Sequence, residues 1–364
     1  MATGVIVVVG GGVMGLATGW ALARAGSHPI VLERFARGHH EGASHGHTRN
    51  FNDAYSRDEY LDLLVRAREL WDDLSAGLDE PLLRPHGLVN QGPIDRLVPV
   101  QRAHAARGFA SRLLEPADAS ARFTGMRFTD PVLLSESSGV IRASAALRQF
   151  EEGILAAGGE VRWNTPVRAV SPEGQVTLAD GSQIAADRVV ITAGAWTRSL
   201  VPRDIPMPEL RVTEEHPAHF RPLRDAVWPS FNHLLGAPWP ADVYGMPAPG
   251  EGVKVGFHLV GHEVDPARRP HESHSLAQLR DYVREWFPGL DPDSAELVSC
   301  TYTSTTDEDF HLDRYDRIVV GAGFSGHGFK FAPAIGETLA RLARDDDYRA
   351  AALFRRVERP ARTK

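Results

Sequence analysis

Cysteine is nearly missing from this sequence: Cys300 is the only one in 364 residues. No intrachain disulfide can form, and a reducing, cytoplasmic location is expected. Long apolar runs are missing too, so no stretch has the length needed to cross a bilayer. The first apolar segment, residues 5–9, has no basic leader and runs straight into glycines, which reads as a strand and not as a secretory signal. Positive charge is in deficit. The formal net charge of −7 argues against nucleic acid as a partner, because phosphate binding needs a basic surface. Repeats and low-complexity tracts are absent as well. What is present is an ordinary globular composition, 43% hydrophobic and 24% charged, long enough for two domains.

The β-branched run at 5–9 predicts a strand covered on both faces. Residues 16–25 have helical composition and stop at Gly26, while 29–33 predict a second strand. Ser56 and Glu59 have capping-box spacing ahead of a helix with Leu63, Leu64, Ala67, Leu70, Trp71 and Leu74 on one face. Another helix starts near Ser144, turns Leu147, Phe150, Ile154 and Leu155 inward, and ends at Gly158-Gly159. Strands at 160–163, 167–170, 175–178 and 183–186 follow, with Asp180-Gly181 as the hairpin signal between the last two, and then a strand at 189–192. From about Leu210 to Cys300 short proline-punctuated strands surround one helix. That helix has Ser275 and Gln278 as a second candidate capping box and Leu276, Leu279, Val283 and Trp286 inward. The end returns to the opening style, with a strand at 317–320, a glycine turn, and a helix through Ile335, Leu339 and Leu342. The alternation predicts an α/β fold. A discontinuous Rossmann-like domain of residues 1–85, 140–210 and 296–364 carries an inserted, mainly antiparallel β domain of 86–139 and 211–295.

Gly10-Gly11-Gly12-Val13-Met14-Gly15 satisfies the dinucleotide pattern G-x-G-x-x-G, with a strand before it, a helix after it, and Glu33 closing the next strand. Gly10 permits the tight turn, Gly12 lets the backbone approach a pyrophosphate, and Gly15 lets helix and strand pack closely. The helix N-terminus faces the phosphate charge, and Glu33 accepts hydrogen bonds from the adenosine ribose. The pattern by itself does not separate FAD from NAD. Two other signals are rejected. His39, His40, His45 and His47 have no metal-ligand spacing and no accompanying cysteine. Gly42-Ala43-Ser44-His45-Gly46 matches a hydrolase elbow by letters only, because the elbow must join a strand to a helix.

The C-terminal part separates the cofactors. Cys300-Thr301-Tyr302-Thr303, Asp307-Glu308, and the octapeptide from Gly323 to Lys330 resemble the monomeric sarcosine oxidase family of D-amino-acid-oxidase-like flavoproteins. Ser44-His45-Gly46, Thr48-Arg49, Ala54-Tyr55, Gly194-Ala195-Trp196 and the segment from Lys254 to His258 match in the same order. The resemblance implies an FAD-dependent amine oxidase. A neutral amine gives a hydride equivalent to flavin N5, the imine hydrolyses, and oxygen reoxidises the flavin to give hydrogen peroxide. It implies covalent attachment of the flavin through Cys300 and an oxygen-activating role for Lys254, with the cation stabilising developing superoxide. It places Arg49 and His327 beside the flavin, Lys330 at a substrate carboxylate, and His258, Tyr302 and Tyr244 in the pocket. The glycine turn with Val13, Met14, Glu33, Arg34, Ser44, His45, Thr48, Val167, Gly194, Trp196, Gly323, Gly326, Gly328 and Phe329 would complete the FAD site. The partners implied are a small amine and oxygen, and the chain is expected to be a monomer. Two positions depart from the family. Asn52 stands where a second arginine clamps the carboxylate, and Asn232 stands in place of an apolar pocket residue. An asparagine cannot make the charged bidentate pair, so carboxylate recognition rests on Lys330 alone or on rearranged groups, and the two added amides imply a more polar substrate than sarcosine or one without a simple α-carboxylate. A dehydrogenase using a non-oxygen acceptor and a catalytically silent flavin-binding protein remain open at this point.

Overall fold

The computed structural model of the chain describes residues 4–355 and 357. Six strands form its first sheet, in the order His311–Tyr315, Ile318–Ala322, Arg188–Ile191, Ile6–Val9, Ile30–Leu32 and Glu160–Arg162. All pairs are parallel except that of the edge strand His311–Tyr315. Both faces are covered, which is why its central strands read as unbroken β-branched runs. Ile6, Val8, Val190 and Val319 enter a core shared with the helices Val13–Arg24, Ala143–Ala156 and Ala332–Arg344. Val7, Val9, Val189 and Val320 enter a second core against the meander Val167–Val170, Gln175–Leu178 and Gln183–Ala185.

The second large sheet has eight strands, in the order Glu296–Leu297, Ala218–Phe220, Gly252–Phe257, Val243–Ala248, Ser230–His233, Leu88–Gln91, Val132–Ser135 and Ser111–Leu114. Every pair is antiparallel except Ser230–His233 with Leu88–Gln91. Phe220, Phe231, Val255 and Phe257 lie in one apolar core with Tyr282, Val283 and Phe287 from the helix Leu276–Trp286 and its end. The two large sheets make a mixed α/β fold, and no described helix is long and apolar enough to cross a membrane.

Both candidate capping boxes fail. The first helix of that pair runs Asp58–Ser75 with Arg57 at its N-cap and no side-chain cap bond. Arg57 is held extended by its ion pair to Asp309 at 2.8 Å, so the helix starts one residue late for Ser56 and Glu59 to pair. Asp58 and Glu59 still sit in its first turn, where negative charge complements the helix dipole. Ser275 does occupy the N-cap of Leu276–Trp286, but its ψ of 0° departs from the extended conformation from which a cap side chain reaches back, and no cap bond forms. The helix Ile94–Ala106 and the strands Leu88–Gln91 and Val132–Ser135 had no sequence signal of their own. Pro99 interrupts the helical pattern, and the short strands carry Asn90, Gln91 and Ser135 in place of polar–apolar alternation.

Candidate active site

One cavity of about 1080 Å³ has both the glycine turn and the face of the eight-stranded sheet in its wall. Gly10 turns the chain with φ +110°, and a Cβ on Gly15 would stand 1.7 Å from the Gly10 carbonyl oxygen. Gly15 therefore sits behind the turn, out of the wall, holding helix against strand. The helix begins at Val13 with no acidic residue in its first turn and no side-chain cap on Gly12. The Val13 N–H donates to Ser44 Oγ at 3.0 Å. Glu33 is buried and accepts the Gly11 N–H at 2.7 Å and the Phe35 N–H at 2.9 Å, so its carboxylate is fixed beside the turn. Val167, Gly194 and Trp196 line the same wall, and the Arg34 guanidinium lies 5.2 Å from the Trp196 ring. A helix N-terminus with no acidic side chain in its first turn, a glycine turn and a fixed carboxylate fit an anionic dinucleotide with its ribose.

Around the rest of the cavity the expected chemical groups converge. Lys254 comes from a central strand of the large sheet and is only 8% exposed. Burial, with Arg49 nearby, lowers its ammonium to about 8. Lys330 is 4% exposed, and burial lowers it to about 7 while Asp53 pulls the other way. Its Nζ donates to the His327 carbonyl at 2.8 Å, and the buried Trp71 indole N–H donates to the Lys330 carbonyl at 2.8 Å. His327 Nδ1 lies 3.0 Å from the Tyr55 hydroxyl and Nε2 lies 3.1 Å from the Glu308 carbonyl oxygen. The loop between strand and last helix is built so that Tyr302 can lie on it. A Cβ on Gly326, which has φ +74°, would meet the tyrosine ring at 2.1 Å. Gly323, Gly328 and Phe329 line the cavity beside it.

Tyr302 donates to the Tyr244 hydroxyl at 3.3 Å, and the His258 ring lies 5.7 Å from Tyr302 and 6.3 Å from Tyr244. Burial holds both phenols above the ordinary tyrosine range, so they remain neutral hydrogen-bond donors. Cys300, 9% exposed, lies in the same wall on the strand that carries Tyr302. Arg49 staples the histidine-rich loop by donating to the carbonyls of Thr48, Ala43 and His45, and its guanidinium carbon sits 5.5 Å from the Phe329 ring. His39, His40, His45 and His47 all line the cavity, and the rings of His40 and His45 stack at 4.9 Å. Burial drives His45 down to about 3, so it stays neutral, with Nε2 at 3.0 Å from the Ser299 carbonyl oxygen.

Not every expected residue reaches the cavity. Thr48 is buried and absent from the wall. Asn52 is in the wall, but its Oδ1 accepts the Ala54 N–H at 2.8 Å, so the amide closes a local turn. Asn232 lines the pocket and donates to Asn90. Asn90, Asn50, and the Arg96–Asp242 ion pair at 2.8 Å complete the wall and were missed in the sequence. Asn90 and Arg96 lie on a strand and a helix that the sequence pattern did not reveal, Asp242 precedes the strand Val243–Ala248, and Asn50, between Arg49 and Asn52, could have been found from those two neighbours.

The chain matches the model of the family DAO, FAD dependent oxidoreductase, over residues 6–342. It is 34% identical to peroxisomal sarcosine oxidase of Homo sapiens, with 93% of this chain and 91% of that protein covered. It is 30% identical to monomeric sarcosine oxidase of Bacillus sp. (strain NS-129), covering 93% of this chain and 92% of that protein. Among solved structures it superposes on NikD, an unusual amino acid oxidase essential for nikkomycin biosynthesis, with TM-score 0.83, 25% identity, and 94% of each chain covered. A glycine turn built for a dinucleotide, with family similarity running nearly end to end, makes this chain a member of the DAO family of FAD-dependent oxidoreductases.

Proposed function

We propose that this chain is an oxidase of a small secondary or cyclic amine or amino acid, with FAD attached through Cys300 and oxygen as the acceptor. The observation that carries this reading is the convergence of two buried lysines, Lys254 and Lys330, with Cys300 and Tyr302 in the wall of the cavity that holds the dinucleotide turn. When bound, the flavin accepts the hydride equivalent from the carbon bearing the amine and passes the electrons to oxygen as hydrogen peroxide. The chain's own residues supply orientation and charge. Lys254 holds a cation in a water-poor wall, where it acts at full strength on negative charge that develops beside it. Lys330 offers a single positive charge to a substrate carboxylate, in place of an arginine fork. Its link to the His327 carbonyl and the bond from Trp71 to its own backbone fix where that charge sits. Tyr302, Tyr244 and His258 border the substrate, and Arg49 holds the loop of residues 43–48 against the cofactor. No general base is needed when the amine arrives unprotonated.

Residues 1–85, 140–210 and 296–364 form the FAD-binding domain in this reading, and 86–139 with 211–295 form the substrate domain. The division is supported by strands at 88–135 and 218–257 sharing one sheet, which the short strand Glu296–Leu297 from the last FAD-domain segment joins at its edge. The enzyme works as a cytoplasmic monomer, a reading supported by the scarcity of cysteine and by the monomeric sarcosine oxidase relative. The test is amine-dependent peroxide formation by wild type and by Lys254→Met. Wild type should make peroxide. The variant should still be reduced by amine without oxygen, yet react with oxygen about a hundred-fold more slowly, the scale of one lost electrostatic stabiliser. A variant with undiminished oxygen reactivity defeats the role given to Lys254.

A further inference from the structure

Leu133, Asn90, Asn232, Tyr244 and Gly256 stand side by side across five strands of the large sheet. The first four lie in the cavity wall. Asn90, 2% exposed, donates Nδ2 to the Leu133 carbonyl at 3.4 Å, which sets the direction of its amide. Its Oδ1 therefore faces Asn232 and accepts that residue's Nδ2 at 2.6 Å. One N–H of Asn232 is given to Asn90, while its Oδ1 has no hydrogen-bond partner among the described residues and is not one of the fully buried unpaired atoms. An acceptor with those properties keeps some accessible surface, and Asn232 is in the cavity wall. Apolar groups of Leu97, Leu133 and Leu234 share this wall with Arg96 and Asp242, whose charges are paired with each other at 2.8 Å.

A pocket acceptor that loses its water to an apolar substrate group is left unpaired, and sites built this way reject the analogue lacking the donor. Resting on the amine-oxidase reading, we propose that Asn232 is a specificity-determining residue that selects amines whose side group ends in an N–H or O–H donor, such as a primary amide. Asn90 is the positioning residue that turns the Asn232 oxygen toward the substrate. Phe231 and His233, the neighbours of Asn232 on its strand, point to the opposite face, into or beside the helix-covered core. A shift of one position in this strand would therefore remove the acceptor from the cavity.

N-methylasparagine and N-methylleucine are nearly the same shape, and only the first carries a side-chain donor. With the flavin-loaded protein, binding is read from the perturbation of visible flavin absorbance, and turnover is read separately from peroxide. Wild type should bind the asparagine analogue about ten-fold more tightly, the ratio expected for one neutral hydrogen bond. In Asn232→Leu the two affinities should come within about two-fold. Equal affinities in wild type, no perturbation by either analogue, or a preference that survives the substitution would overturn the proposal. The wild-type comparison decides even if the variant does not hold flavin. Peroxide absent with both analogues, while the affinity difference stands, would remove the oxidase reading and leave the selectivity in place.

Discussion

At the scale of single residues the proposed function rests most on Lys254 and Lys330, and burial gives each a titration within reach of experiment. Lys254 is lowered to about 8, chiefly by burial, so it loses its charge as pH rises through that value. The rate at which reduced enzyme reacts with oxygen should accordingly be highest below pH 8 and fall above it. Stopped-flow reoxidation across pH 6–10 measures this, and a flat profile would contradict the charge-based role. Cys300 gives a second prediction. Acid precipitation should leave the wild-type pellet yellow and the Cys300→Ser pellet colourless, with flavin in the supernatant; a colourless wild-type pellet would refute covalent attachment. These residue types were legible in the sequence because matching segments fix them one by one. Asn90 was not legible, since its significance comes from a cross-strand neighbour, Asn232, which is 142 residues away in the chain.

Among the elements, the turn between the first strand and the helix Val13–Arg24 is the least tolerant of change. A Cβ on Gly15 would overlap the Gly10 backbone oxygen, and backbone cannot swing aside as a flexible side chain can. Gly15→Ala should lose about 3 kcal/mol of stability, the upper part of the usual range for overpacking, and should purify with less flavin. Urea unfolding and the visible-to-280 nm absorbance ratio measure the two effects; a variant with wild-type values for both would contradict the packing role. The parallel strands and their helices could be read from the sequence because burial on both faces writes continuous apolar runs. One helix start could not, although those at Ala143 and Leu276 were read to within a residue. Asp58–Ser75 begins where the distant Asp309 holds Arg57, so a tertiary ion pair overrode the local capping signal. The strand Leu88–Gln91 was unreadable for a related reason. All four of its residues are buried, two of them polar, because one face looks into the cavity and the other into the core.

At the scale of the whole molecule, two large sheets supply different parts of one cavity. The parallel sheet brings the dinucleotide turn, and the eight-stranded sheet brings Lys254 with the Asn90–Asn232–Tyr244 row. The sequence allowed an inserted antiparallel region to be expected, but not its pairing. Ser230–His233 lies parallel to Leu88–Gln91, joining chain segments about 140 residues apart, and no local pattern encodes such a partner. The central claim is that this shared cavity brings an amine to a flavin that then reacts with oxygen. Anaerobic titration of the yellow holoprotein with a panel of secondary and cyclic amines tests it most directly. At least one amine should bleach the visible flavin band, and admitting air should restore the colour with one hydrogen peroxide formed per flavin. A flavin that no amine in the panel can bleach, or one that is bleached but stays reduced in air, would contradict the account.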